Sequence, residues 1–299
     1  MKILVIGGSY FLGKAFVTEA KNVHEMTLIN RGNRPYRDEK IKEYKIDRRD
    51  QKALAALEDQ QYDAVVDFCA YEKGDISLFL AYSKIKTKQY IFISTCDVYQ
   101  KGTGHILKEE EPFETRVFAG QEGAYICGKV ALEKELSEVA DKYDIHVTSI
   151  RPVFIYGPEN YADRESVYFR WIMQAKQILH PVDATGQFQM VYVKDVAKAI
   201  LCTLGNPKAY GKAFNLCRPE LMTYDTFYEM LAALFEGAFE KVDIDVDTVL
   251  ARQIPLPFPL LKEESEWYDG SAIESIGFSY TELLDGMRET LAWFQANWR

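Results

Sequence analysis

Long apolar runs are missing from this sequence: none of its hydrophobic stretches approaches the ~18 residues that a membrane span requires. The opening MKILVIGG holds four apolar residues before two glycines, so no signal peptide is expected. Cysteine is sparse, with five in 299 residues. Cys69, Cys96, Cys127, Cys202 and Cys217 are odd in number, widely spaced and never arranged as C-x-x-C. That pattern fits reduced thiols in a cytoplasm and excludes a disulfide scaffold or a zinc site. Histidine is scarcer still. His24, His105, His146 and His180 form no H-E-x-x-H or comparable cluster, and no bound metal is expected. Positive charge is in deficit, 36 Lys and Arg against 45 Asp and Glu, for a net charge of −9. Such a chain repels phosphate backbones at long range, which disfavours nucleic acid as a partner.

What is present is the composition of a packed soluble protein, 47% hydrophobic and 27% charged. KILVI (Lys2–Ile6) reads as a strand, followed by glycines and a helix over Phe11–Ala20. Strand patterns recur at 26–30, 44–47, 62–68, 89–94 and 145–152, with helical patterns at 51–59, 76–85 and 124–143. Short apolar strands alternating with helices predict an α/β, Rossmann-like doubly wound parallel sheet covered on both faces. Near residue 155 the alternation becomes irregular. Helical spacing at 168–176, the segment FQMVYVKDVAKAIL (188–201), a strand–helix pair within 211–235 and a last helix over 281–297 follow. IPLPFPLL (254–261) carries prolines at alternate positions and suits neither a helix interior nor a central strand.

VIGGSYFLGKAF (5–16) places Gly7, Gly8 and Gly13 between the first strand and the first helix. Glycine permits a tight turn, main-chain N–H groups face outward, and the helix N-terminus attracts pyrophosphate. Gly7, Ser9, Tyr10, Phe11, Leu12 and Gly13 are therefore expected to line a dinucleotide, a purely structural turn being the alternative. At the end of the second strand an acid would bond the 2′-hydroxyl of NAD, and an arginine would accept the 2′-phosphate of NADP. Asn30, Arg31 and Arg34 stand there, with no acid before Asp38. NADP(H) is the preferred reading and NAD(H) the alternative, with Arg31 and Arg34 then serving as solvated surface charges.

Tyr125 and Lys129 lie four apart on the helical pattern at 124–143 and share a face. A phenol of pKa about 10 is a poor base at neutral pH, but a neighbouring ammonium lowers that pKa. The pair could then exchange a proton with a substrate hydroxyl or carbonyl while a nicotinamide exchanges a hydride. Y-x-x-x-K is common by chance; its placement gives it weight. ISTCDVY (93–99) ends the fifth strand, at the sheet edge where active groups of open α/β sheets collect. Thr95 or Ser94 would donate a hydrogen bond to the same substrate oxygen.

On these landmarks the chain resembles the extended short-chain dehydrogenases/reductases, the NAD-dependent epimerase/dehydratase-like family. GGSYFLG (7–13), IDRRD (46–50), ISTCDVY, YICGKVALE (125–133), RPVFIYGP (151–158), VYVKDVAKAI (191–200) and FNLC (214–217) occur in the family's order. The resemblance implies Thr95, Tyr125 and Lys129 as the catalytic set, with Lys129 also on the nicotinamide ribose and Asp47 at the adenine. It implies a dinucleotide-binding domain over 1–155 plus about 188–205, and a smaller C-terminal α/β substrate domain over about 156–187 and 206–299. It further implies a small-molecule substrate, with a nucleotide sugar as one candidate, and a homodimer formed through a four-helix bundle.

Departures from the family pattern sharpen the expectations. Tyr10 replaces the middle glycine of G-x-x-G-x-x-G, and GGSYFLG is most similar to an atypical branch with G-G-T-x-F-x-G turns. That branch includes plant chloroplast RNA-binding relatives, so a non-catalytic dinucleotide-binding or RNA-associated protein is the second reading. The net charge of −9 weighs against it and the intact Tyr125/Lys129 pair weighs for chemistry. Phe154 stands where sugar-nucleotide epimerases carry Asn, Phe188 matches their diphosphate-gripping Arg, and R-x-G-D is missing from 262–270. Each lost cation removes charge-assisted hydrogen bonds of about 1.5–3 kcal/mol. Arg218 or Arg252 could supply the charge from elsewhere. Thr95-Cys96-Asp97 keeps half of the dehydratases' acid pair, so epimerisation or carbonyl reduction is expected over dehydration. Cys96 and Cys127 beside these positions are expected to be unreactive thiols.

Overall fold

The computed structural model describes residues 1–298. Strands β1 (Lys2–Ile6), β2 (Glu25–Asn30), β3 (Lys42–Lys45), β4 (Gln60–Asp67) and β5 (Ile85–Ile93) alternate with helices α1 (Phe11–Ala20), α2 (Gln51–Ala55) and α3 (Asp75–Tyr82). A short β6 (Ile106–Leu107) precedes the long α4 (Gly120–Tyr143), followed by β7 (His146–Pro152) and β8 (Phe154–Tyr156). The rest comprises α5 (Glu165–Ala175), β9 (Gln177–Pro181), β10 (Met190–Tyr192), α6 (Val193–Thr203), β11 (Lys212–Leu216) and α7 (Tyr224–Leu234). The chain closes with β12 (Glu240–Ile244), α8 (Val246–Ala251), β13 (Trp267–Tyr268) and α9 (Leu283–Asn297).

Seven of these strands form one parallel sheet in the order β11-β7-β5-β4-β1-β2-β3. Because successive side chains of a strand point to opposite faces, the continuous apolar run of β1 feeds two cores. Ile3 and Val5 join Phe16 and Val17 of α1 and Val196 and Ile200 of α6. Leu4 and Ile6 join Leu54 of α2, Phe79 of α3 and Leu132 and Leu136 of α4. Each such fully buried side chain contributes about 1.5–3 kcal/mol. The sheet is thus the doubly wound, Rossmann-like one that the strand–helix alternation predicts. Strand order reverses between β4 and β1, and a crevice opens there at the carboxyl ends of the strands.

Some boundaries differ from the sequence reading. The third strand is Lys42–Lys45 and not 44–47; the chain turns at Asp47, whose carbonyl accepts from Asp50 N, and Asp50 then caps α2. The helix read at 76–85 ends at Tyr82, and Ile85 already pairs in β5. More consequential is β11. It lies inside the span 206–299 read as substrate domain, yet its residues pair with β7 as an edge of the central sheet. The end of that span, residue 299, lies outside the described residues. After β8 the chain packs α5, α7 and α9 into the same core that α1 and α6 share, through Phe169, Phe227 and Met287. The proline-rich 254–261 segment contributes Phe258, stacked on Phe188 with centroids 3.9 Å apart.

Candidate active site

A cavity of about 930 Å³ runs along the carboxyl edge of the sheet, from the glycine turn after β1 to the segments around Phe154 and Phe188. Gly7, Ser9, Tyr10, Phe11, Leu12, Gly13, Asn30, Arg31, Arg34, Asp47, Thr95, Tyr125 and Lys129 all line it. The glycine turn is shaped by close approach. Gly7 has φ +90°, and a Cβ there would fall on the Cys69 sulfur; a Cβ on Gly13 would fall on the Gly7 carbonyl oxygen. Tyr10, in place of the middle glycine, stacks on Tyr161 at 5.6 Å, and the Arg34 guanidinium lies 3.7 Å from the Tyr10 ring centroid. Lys14 of α1 pairs with Glu159 across the same gap. Asn30 is spoken for: its amide donates to Glu43 at 2.6 Å and its oxygen accepts from Gly32 N at 2.8 Å.

Beneath the turn lies a buried ion pair that spacing alone does not reveal. Asp67, fully buried at the end of β4, accepts from Arg48 Nη1 at 2.7 and 2.8 Å, from the Tyr90 hydroxyl and from Cys69 N at 2.9 Å. Arg48 belongs to IDRRD, whose Asp47 lines the cavity while Arg49 turns to Asp75 at 3.0 Å. Charges this deep persist only when paired and hydrogen-bonded. A second pair supports the other side, with Arg151 Nε on Glu133 at 2.8 Å and its Nη1 on the Tyr99 hydroxyl at 2.7 Å.

Helix α4 carries Lys129 on its inward face, 3% exposed. Its ammonium donates to the carbonyls of Ala70 at 2.9 Å, in the loop that leaves β4, and of Ile93 at 2.7 Å, the last residue of β5. Gly128 makes this reach possible, because a Cβ there would fall on the Tyr71 carbonyl oxygen. Burial lowers the Lys129 pKa to about 8, with Asp67 the largest influence opposing the fall. Tyr125, one turn earlier and half-buried, faces the cavity beside Thr95. The expected lysine-lowered phenol is corrected here. Burial and the Asp97 charge push the Tyr125 hydroxyl well above its ordinary value; Thr95 and Arg164 draw it the other way, and Lys129 is directed at main-chain carbonyls instead. Thr95 donates to Asp97 at 3.1 Å, and Asp97 pairs with Lys101 at 2.7 Å.

On the substrate side, Phe154 and Phe188 both line the cavity. Phe188 is nearly inaccessible, held in an aromatic cluster with Phe258, Tyr224 and Phe227. Neither Arg218 nor Arg252 lines the cavity, so neither replaces the missing diphosphate cations; Arg218 is engaged by Glu220, Glu282 and the Thr281 carbonyl. Arg164, which the sequence reading missed, lines the cavity, as does Lys101, paired with Asp97. Cys96 is buried and donates to the Arg151 carbonyl, its thiol pushed up by burial. Among the described residues no three His, Cys, Asp or Glu side chains are placed to hold a metal, and no helix is long and apolar enough to cross a membrane.

The sequence profile of the NAD dependent epimerase/dehydratase family matches residues 3–217, from β1 through β11 to the FNLC segment. The chain belongs to this family. As a family member it is 30% identical over 260 residues to the chloroplast stem-loop binding protein of 41 kDa b from Arabidopsis thaliana, covering 81% of this chain. The chain spans 65% of that relative's length. UDP-glucose 4-epimerase from Thermotoga maritima, solved with UDP-glucose, superposes with a TM-score of 0.79 at 18% identity over 100% of both chains. UDP-glucuronic acid 4-epimerase from Bacillus cereus, solved with NAD, gives 0.75 at 18% identity, covering 99% of this chain and 96% of that one. UDP-N-acetylglucosamine 4-epimerase from Methanobrevibacter ruminantium M1 gives 0.74 at 21% identity over 99% of this chain and 98% of that one. At these identities the epimerases share the fold of this epimerase/dehydratase family member, and substrate is argued from its own side chains.

Proposed function

We propose that this chain is an NAD(P)-dependent epimerase or reductase acting on a small sugar-like hydroxyl or carbonyl substrate. The observation that carries the reading is the convergence of Tyr125, Thr95 and Lys129 on one cavity that continues without a break to the glycine turn. The turn fits a dinucleotide, since Gly7 and Gly13 leave main chain where any side chain would collide, and a pyrophosphate can approach as closely as the backbone allows. Residues 9–13 would hold the pyrophosphate, Asp47 the adenine, and Lys129 the nicotinamide ribose. When bound, the nicotinamide supplies hydride acceptance and return.

The chain's own residues handle the proton and the pose. Tyr125, a phenol kept protonated at neutral pH and more firmly so by burial, would give its proton to a substrate carbonyl oxygen in the reducing direction and be reprotonated from solvent; in the oxidising direction its phenolate would take the hydroxyl proton. Thr95 orients the same oxygen. Lys129, with a pKa of about 8, is mostly charged at pH 7 and can exchange a main-chain carbonyl for a ribose hydroxyl. We infer a preference for NADP(H) from Arg31 and Arg34, which line the groove after β2 and form no ion pair among the described residues, with Asn30 already committed to Glu43. The second reading, an RNA-associated protein, draws on the Arabidopsis relative, which is named for stem-loop binding. The net charge of −9 weighs against it.

A screen of sugar nucleotides, sugars and aldehydes with NADPH and NADH, run on wild type and Tyr125→Phe, tests the proposal. Turnover that falls 10²- to 10⁴-fold in the variant, roughly the worth of a positioned acid or base, supports it. A Tyr125→Phe protein as fast as wild type, or no turnover of any substrate, overturns it.

A further inference from the structure

The substrate end of the cavity has a charge pattern unsuited to a diphosphate. Lys101 is neutralised by Asp97 at 2.7 Å. Glu264 and Glu266 also line the cavity, held by main-chain donors, Leu260 N on Glu264 at 2.9 Å and Gly102 N on Glu266 at 2.6 Å. Arg164, at the start of α5, lines the same cavity. Its guanidinium is held 4.8 Å from the Phe154 ring centroid, and Nη1 donates to the Ile155 carbonyl at 3.3 Å. Nε and Nη2 have no protein acceptor among the described residues. The adjoining Glu165 carboxylate spends its hydrogen bonds on Asn160 and Gly157 N and forms none with Arg164.

A half-buried guanidinium with two free donors and no direct ion pair keeps hydrogen-bonding capacity that a ligand in the cavity can complete. The free edge matches the planar, two-oxygen geometry of a carboxylate or phosphate. Tyr125 faces the same space. The Glu264 and Glu266 carboxylates lining that cavity accept hydrogen bonds from hydroxyls and repel a second anionic group.

We propose that Arg164 anchors the anionic group of the substrate, and that this substrate is a compact polyol with a single carboxylate or phosphate near its reacting carbon, its hydroxyls turned to Glu264 and Glu266. The inference rests on the assignment of Tyr125 as the proton-transfer group and narrows its substrate class.

Calorimetric titration of the full chain with bound NADPH tests it, using glucuronate, glucose 6-phosphate, glucose and UDP-glucose on wild type, Arg164→Gln and Arg164→Lys. Either anionic sugar should bind wild type more tightly than glucose or UDP-glucose. Arg164→Gln should weaken that binding by roughly ten- to a hundredfold, the worth of charged hydrogen bonds, and Arg164→Lys should restore part of it. Which probe binds separates carboxylate from phosphate. Binding of both anionic sugars to Arg164→Gln within twofold of wild type overturns the proposal, as does tighter binding of UDP-glucose or no binding by either anion. Turnover assays on the same proteins separate the two claims. Anion binding through Arg164 with no Tyr125-dependent turnover refutes only the reaction; Tyr125-dependent turnover of glucose, unimpaired in Arg164→Gln, refutes only the anchor.

Discussion

Replacing Lys129 with methionine removes an ammonium from one of the least accessible places in the molecule while keeping an unbranched chain of similar reach. Burial lowers the lysine pKa from 10.5 to about 8, so the folded chain binds this proton less tightly than the unfolded chain does. The sign of the linkage follows: between pH 8 and 10.5 the unfolded state holds more proton, and wild-type stability rises with pH. Below pH 8 the whole penalty applies, about 3 kcal/mol from a shift of this size. Raising the pH from 7 to 9 should therefore relieve about 1 kcal/mol of it in wild type and nothing in Lys129→Met. The lost hydrogen bonds to Ala70 and Ile93 add a cost to the variant that is the same at every pH. Urea denaturation of both proteins at pH 7, 8 and 9 measures the difference. A wild-type advantage that grows by about 1 kcal/mol across the series is the expected result. A difference that stays constant would show that burial does not penalise this charge, and the account of the site's electrostatics would fail.

Gly7→Ala should cost about 2 kcal/mol or more, since it combines positive φ with a clash on the Cys69 sulfur. Repeating it in a Cys69→Ala background separates the two, and equal costs in both backgrounds would rule out the clash. Arg34→Ala should reduce any preference for NADPH over NADH by roughly tenfold in fluorescence titrations. An unchanged ratio would leave Arg34 as a surface charge stacked on Tyr10. Glu133→Gln strands Arg151 and should cost about 3–5 kcal/mol at pH 7. Arg151 holds the Glu133 carboxyl below its ordinary 4.5, so the wild type loses this contribution as pH falls below 4.5, and the gap between the proteins should narrow there.

The elements most legible in the sequence are those with strong local signals. β1 and α1 coincide with their predicted ranges because an apolar run, a glycine turn and a helical stripe lie next to one another. The short edge strand β3 lies two residues before its expected range because Asp47 turns the chain, whereas α2 starts at Gln51 as expected and ends early, at Ala55. The same division holds at the site. Tyr125 and Lys129 were visible through their spacing, yet the partners of Lys129 are main-chain carbonyls that no spacing reveals. The Arg48–Asp67 pair joins residues nineteen apart through the fold, and Arg164 carries no local signature at all. Gly128 did leave a trace: a glycine inside a long helical pattern costs about 1 kcal/mol and asks for a reason, here the Tyr71 carbonyl.

β11 returns to the sheet after the chain has already built α5 and α6, and α6 covers α1. The two halves are therefore interlaced and not strung in series. A fragment cut at residue 155 would bare the hydrogen-bonding rim of β7 and the greasy flank of α1 together, leaving a sticky, open-edged remnant prone to self-association. Gene fusions or deletions that treat the first half as a portable nucleotide module would meet that obstacle.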